Sequence, residues 1–90
     1  MSMKYIVIKK HPISSEELFI FSETTDHNTF YSFLNHQYPS CTLVSAGYLK
    51  NYHDEISHFD QISLSGDSFT LKSKSRPEDL DLFRRLSNGY

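Results

Sequence analysis

The chemistry-bearing residues gather in one stretch, Gly66-Asp67-Ser68-Phe69-Thr70-Leu71-Lys72-Ser73-Lys74-Ser75-Arg76-Pro77-Glu78-Asp79. Its pattern predicts a short strand feeding the start of a helix. Lys72 shares a strand face with Ser68 and Thr70, and Lys74 continues that side. Ser75 and Glu78 stand at capping-box spacing, with Pro77 in the first turn where a missing N–H does no harm. A helix start exposes unpaired N–H groups and a partial positive charge, which suits a phosphate. Lys74, Ser75 and Arg76 would add a guanidinium fork, an ammonium and a hydroxyl. The competing reading is a solvated basic turn ahead of an ordinary helix, neutralised by Glu78 and Asp79. A cation in the first helical turn opposes the dipole, so Arg76 calls for an anion or a structural carboxylate beside it.

Tyr48 and Lys50 share one face of an alternating segment upstream, where a ring can stack on a base and an ammonium can reach its phosphate. Equally, Tyr48 extends the Val44–Ala46 core face and Lys50 marks its exit into solvent. Metal chemistry is poorly served. His53 and His58 are five apart, about 140° apart on a helix and on opposite faces of a strand. Asp60 could join His58, but no third ligand is evident. Cys41 reads as a small buried hydrophobe, no serine lies in a nucleophile-elbow pattern, and the carboxylate pairs Glu16-Glu17 and Asp54-Glu55 read as surface charge. A catalyst is not expected, and no cofactor is implied.

Seven elements must position these groups. Residues 4–9 and 18–21 are continuous apolar strands, central in a sheet or buried on two sides, joined through a Pro- and Ser-containing hairpin loop. Phe30, Phe33 and Leu34 space out a helix over 27–36 capped by Asp26. Residues 41–52 alternate as a long third strand, in which Gly47 suggests a bulge or a close approach. Strands over 58–64 and 68–72 follow, then a helix striped by Leu80, Phe83 and Leu86 and closed by Asn88-Gly89. The expected fold class is α+β: an antiparallel sheet of about five strands flanked by two helices, in the order β-β-α-β-β-β-α.

The chain has 90 residues, 38% hydrophobic and 14% aromatic, with one cysteine and a net charge of −2. That is one domain with a modest core, which the seven Phe and six Tyr enlarge and self-association would extend. The negative balance argues against duplex nucleic acid as a partner, and one cysteine removes any disulfide framework within the chain. The apolar run Tyr5-Ile6-Val7-Ile8 is too short for a signal core or a membrane span, so a cytoplasmic protein without membrane contact is expected.

Val44-Ser45-Ala46-Gly47-Tyr48, followed by Gly66-Asp67-Ser68-x-Thr70-Leu71-x-x-Lys74-Ser75-Arg76-Pro77-Glu78-Asp79, resembles a family of small phage and prophage proteins. These are grouped with the phage anti-Thoeris proteins that sequester cyclic ADP-ribose signals. The resemblance spans residues 41–87. It implies a homo-oligomeric, non-catalytic protein that holds a cyclic nucleotide immune signal intact in the bacterial host cytoplasm. Carried over position by position, Arg76 and Lys50 would meet phosphates, Tyr48 would stack on a base, and Asp60 would accept from a ribose or base edge. Asp67, Thr70 and Ser73 depart from the family pattern, so cyclic ADP-ribose isomers and cyclic oligonucleotides both stand as ligands. Two rival expectations belong to other classes: a protein–protein inhibitor of a defence effector, in the manner of an anti-CRISPR protein, and a small structural phage component.

Overall fold

In the computed structural model, residues 3–50, 63–68 and 73–88 are described. Two seven-residue strands open the chain, β1 (Met3–Lys9) and β2 (Glu16–Ser22), antiparallel with Met3 opposite Ser22 and Lys9 opposite Glu16. Helix α1 (His27–Gln37) follows, then the long strand β3 (Thr42–Lys50), antiparallel to β1 on its other side. A three-residue strand, β4 (Ser63–Ser65), pairs with the end of β3. The sheet order is β2-β1-β3-β4. Two further short strands, β5 (Asp67–Ser68) and β6 (Ser73–Lys74), pair only with each other, and α2 (Pro77–Asn88) ends the chain.

The α+β class, the antiparallel sheet and the two flanking helices are as the patterning implies. The fifth strand differs. Ser68 faces Ser73 across an antiparallel ribbon instead of sharing one strand face with Lys74, and 69–72 lie outside the described residues. Of the strand expected over 58–64, residues 63 and 64 fall in β4 and the rest lie outside the described set.

Strand alternation divides the core in two. On one face Tyr5 and Val7 pack with Leu49 and, from α2, Leu82 and Phe83. On the other, Ile6 and Ile8 pack with Phe21, Ala46 and, from α1, Leu34, beneath Phe19, Phe30 and Tyr31. A strand with apolar residues at every position needs both faces covered, and one helix lies on each side. Residues 5–8 are 0% exposed because β1 also has a strand on each edge. The equally apolar β2 is only half-buried over most of its length, since it forms the sheet's edge. Of the bulge or close approach expected at Gly47, the bulge lies earlier in β3: Val7 faces Ser45 but Ile8 faces Leu43, so Val44 is the extra residue.

Candidate functional site

Asp79 is the most highly connected polar residue on the α2 face of the sheet. Its carboxylate is fully buried and accepts from the Tyr5 hydroxyl at 2.6 Å and the Ser45 hydroxyl at 2.9 Å. Arg76 donates to it twice, through the backbone N–H and through Nε, both at 2.9 Å. The remaining arm of the guanidinium reaches across to β2, where Nη2 meets Glu16 Oε1 at 2.8 Å and Nη1 meets Oε2 at 3.3 Å. Three of the sheet's four strands thus place one polar residue each opposite the first turn of α2: Glu16 from β2, Tyr5 from β1, Ser45 from β3. A buried charge is stable only when fully paired and hydrogen-bonded, and here four donors converge on the Asp79 carboxylate.

The electrostatics follow from that packing. Burial, then the bond and charge of Asp79, push the Tyr5 phenol well above its ordinary range. The Glu16 bond raises the Arg76 guanidinium further above its already high value, and Arg76 in turn holds Glu16 below the usual carboxylate range. The phenol is thus held neutral and the guanidinium charged. The cluster staples a helix to three strands.

This arrangement corrects the expectation for Arg76 as an open phosphate receiver. Its fork is filled by the protein's own carboxylates, and its side chain is 25% exposed. The capping pattern also shifts by one residue. The helix begins at Pro77, so Arg76 takes the cap position, and Asp79 instead of Glu78 reaches back to the cap N–H. Ser75 donates its backbone N–H to Gly66 O at 2.9 Å, tying the chain ahead of α2 to the β4–β5 junction. Lys74 is exposed on β6. The sequence signal that could have found the staple is Asp79-x-x-Leu82-Phe83: the acid occupies an apolar-stripe position, one residue out of step with the expected Leu80–Phe83 stripe.

Tyr48 lies on the other side of the sheet. It follows the parity of Ala46, whereas Ser45 faces α2 and meets Asp79 there, so Tyr48 and Arg76 cannot meet one ligand on one face of this chain. Lys50 closes β3, and Asp60 lies outside the described residues, as do His53 and His58. The expected six-residue constellation is therefore split.

Around Tyr48 a different set assembles. Its ring stands edge-on to His27 at 5.3 Å, and Lys4, its cross-strand neighbour on β1, holds its ammonium 6.0 Å from the ring centre. Lys4 Nζ also donates to Thr25 O at 2.8 Å, pinning the turn before α1. His27 opens the helix with its ring buried between Phe21 and Tyr48, its Nε2–H directed to Gly47 O at 2.9 Å. Burial, with help from the Lys4 charge, holds its pKa below the ordinary histidine value, so the ring is neutral. Asp26 occupies the cap position as expected, yet its side chain makes no cap bond, and no acidic residue sits in the first turn. The α1 amino terminus therefore keeps donors that α2 has already spent.

Gly66 completes this corner. Its φ of +81° suits glycine, and a Cβ there would stand 3.1 Å from the Tyr48 ring. From the first turn a shallow groove runs along α1, lined by Asn28, Thr29, Ser32, Phe33 and His36. Phe33 is 55% exposed above the stacked Phe21–Phe30 pair. Lys4 and His27 escaped the sequence reading because only the β1–β3 register and the seating of α1 bring them to Tyr48.

Among the described residues, no three His, Cys, Asp or Glu side chains are grouped as a metal would need. The half-buried Cys41 points its thiol at Asn35 Oδ1, 3.7 Å away. No helix among these residues is long and apolar enough to cross a membrane. No family model, curated protein or solved structure matches the chain.

Proposed function

We propose that this chain is a non-catalytic binding protein that captures a cyclic nucleotide signal and leaves it intact. The observation that carries the reading is the meeting of Tyr48, Lys4 and the uncapped start of α1. A tyrosine ring for a base, an ammonium and helix-start donors for a phosphate are the three parts such a ligand requires. Asn28, Thr29 and Ser32, along the adjoining groove, offer donors and acceptors for ribose hydroxyls. The resemblance in residues 41–87 makes an immune signal of the cyclic ADP-ribose or cyclic oligonucleotide type the ligand to try first. Arg76 has a different part in this reading: it seats α2 and leaves the ligand to the opposite face.

Titration calorimetry with cyclic ADP-ribose isomers and cyclic di- and trinucleotides tests the proposal. At least one should bind, and mass spectrometry after denaturation should recover it unaltered. Lys4→Met, which keeps the alkyl stem, should weaken binding about tenfold. Asp26→Asn should tighten it, because that exposed carboxylate faces the incoming anion. If no member of the panel produces heat with the folded chain, the reading is wrong.

A second reading has its own observation. The sequence of α1, His27-Asn28-Thr29-Phe30-Tyr31-Ser32-Phe33-Leu34-Asn35-His36-Gln37, contains no Lys, Arg, Asp or Glu, and Phe33 stands out from it. Charge-poor surface around an exposed aromatic resembles the centre of a protein interface. On this reading the chain inhibits a bacterial defence effector by contact. Stoichiometric recovery of an effector by the wild type but not by Phe33→Ser, with no nucleotide released, would favour it.

A further inference from the structure

We propose that the free edge of β2 pairs with β2 of a second copy, antiparallel about a two-fold axis at Phe19, to make one continuous sheet. Three observations support this.

The first is that the edge is long and unprotected over most of its length. β2 is seven residues of unbroken register, Glu16-Glu17-Leu18-Phe19-Ile20-Phe21-Ser22, with no Lys, Pro, Gly or bulge, and no strand pairs with its outer side among the described residues. Edges that must stay single are shortened, bulged or studded with charges or Pro, and the two charges of β2 stand together at one end, leaving residues 18–22 without one. The opposite edge, β4, follows that rule at three residues.

The second is a contrast in burial. Residues 5–7 are completely buried, while their apolar cross-strand partners Ile20, Phe19 and Leu18 are only half-buried. The apolar surface left over lies along the edge.

The third is that the two-fold symmetry keeps like charges apart. The one register that pairs all seven residues sets Phe19 opposite itself, Leu18 opposite Ile20, Glu17 opposite Phe21 and Glu16 opposite Ser22. No carboxylate then faces a carboxylate, so both glutamates at one end of the strand meet the uncharged end of the partner. Because the axis stands perpendicular to the sheet, side chains facing α1 meet others of that face, and apolar partners stay together on both sides. A heterologous strand would have to match this pattern by chance, whereas a second copy matches it by symmetry.

The test uses the full chain. Sedimentation from micromolar to millimolar concentration should show a monomer–dimer equilibrium. Ser22 is exposed at the end of β2 and opposite Glu16 of the other copy in this register. Glu16 and Asp79 share the single guanidinium of Arg76, so that cluster has a formal excess of negative charge. Ser22→Lys should therefore tighten the dimer and Ser22→Glu loosen it, each by about tenfold over the two equivalent pairs. A chain monomeric throughout overturns the proposal. So does a dimer that responds equally, or not at all, to the two substitutions.

Discussion

The two helices begin in opposite ways. At α2 the first turn is closed on itself: Asp79 caps the Arg76 N–H, pairs its guanidinium and takes hydroxyls from β1 and β3. At α1 the acid in the cap position makes no such bond, and the helix is seated by rings, with His27 wedged between Phe21 and Tyr48. The outer faces differ in the same sense. Glu78, Asp81, Arg84 and Arg85 of α2 are exposed charges, while α1 has none. A helix start whose donors and charges are consumed internally has little to offer a ligand. One held by packing keeps them, which is why the α1 end is the more informative place to look for binding.

The contrast can be broken most severely at Asp79. Asp79→Ala removes the acceptor of Tyr5, Ser45 and Arg76 together and leaves a guanidinium half-paired. The expected loss is about 3–5 kcal/mol of unfolding free energy, read from urea denaturation. A loss near zero would mean that α2 is seated by Leu82 and Phe83 alone. Glu16→Gln should cost far less, about 1 kcal/mol or below, since its side chain is 32% exposed and screened by water. The same variant sharpens the assignment of Arg76. If it gains affinity for inorganic phosphate, Glu16 is all that keeps the α2 start from binding anions.

Acid should act on the two starts in sequence. His27 is held below its free value of 6.5, so the unfolded chain takes up protons first. Its contribution is complete above pH 6.5 and is lost as pH falls through the lower folded value. Glu16 is held below 4.5, so its contribution is present above that pH and disappears at still lower pH. Stability measured by denaturant should therefore fall in two stages on acidification, and His27→Asn should abolish the first stage alone. The smallest effect belongs to Asp26→Ala. A working cap of this kind is worth about 1 kcal/mol, so an unbonded one should cost less than about 0.5 kcal/mol in thermal or urea unfolding. A full-sized loss would show that Asp26 caps α1 in solution.

Much of the architecture was legible because local patterns sufficed. The apolar runs of β1 and β2, the Pro- and Ser-containing loop between them, the 3.6-residue spacing of Phe30, Phe33 and Leu34, and the alternation of β3 each name an element on their own. Continuous hydrophobicity could not separate a central strand from an edge strand, so β1 and β2 look alike in sequence and differ only in their neighbours. The chemistry around α2 was misread for a related reason. The segment from Lys74 to Asp79 showed a cation where the dipole disfavours it, and correctly demanded a negative partner. It could not show that Asp79 turns inward or that Glu16, 60 positions earlier, arrives beside it.

What the chain declares by itself is its periodicities, its charge balance and its unmet needs: a misplaced arginine, a mid-strand glycine, an aromatic next to a cation. Those properties are local, set by side-chain size and by the two-residue and 3.6-residue repeats of the backbone. Which need is met from inside, and which is left open, depended on strand register and helix seating. Adjacent residues of β3 point to opposite faces, so one step in register decides whether Tyr48 shares a surface with Arg76 or with Lys4. Only the folded sheet takes that step.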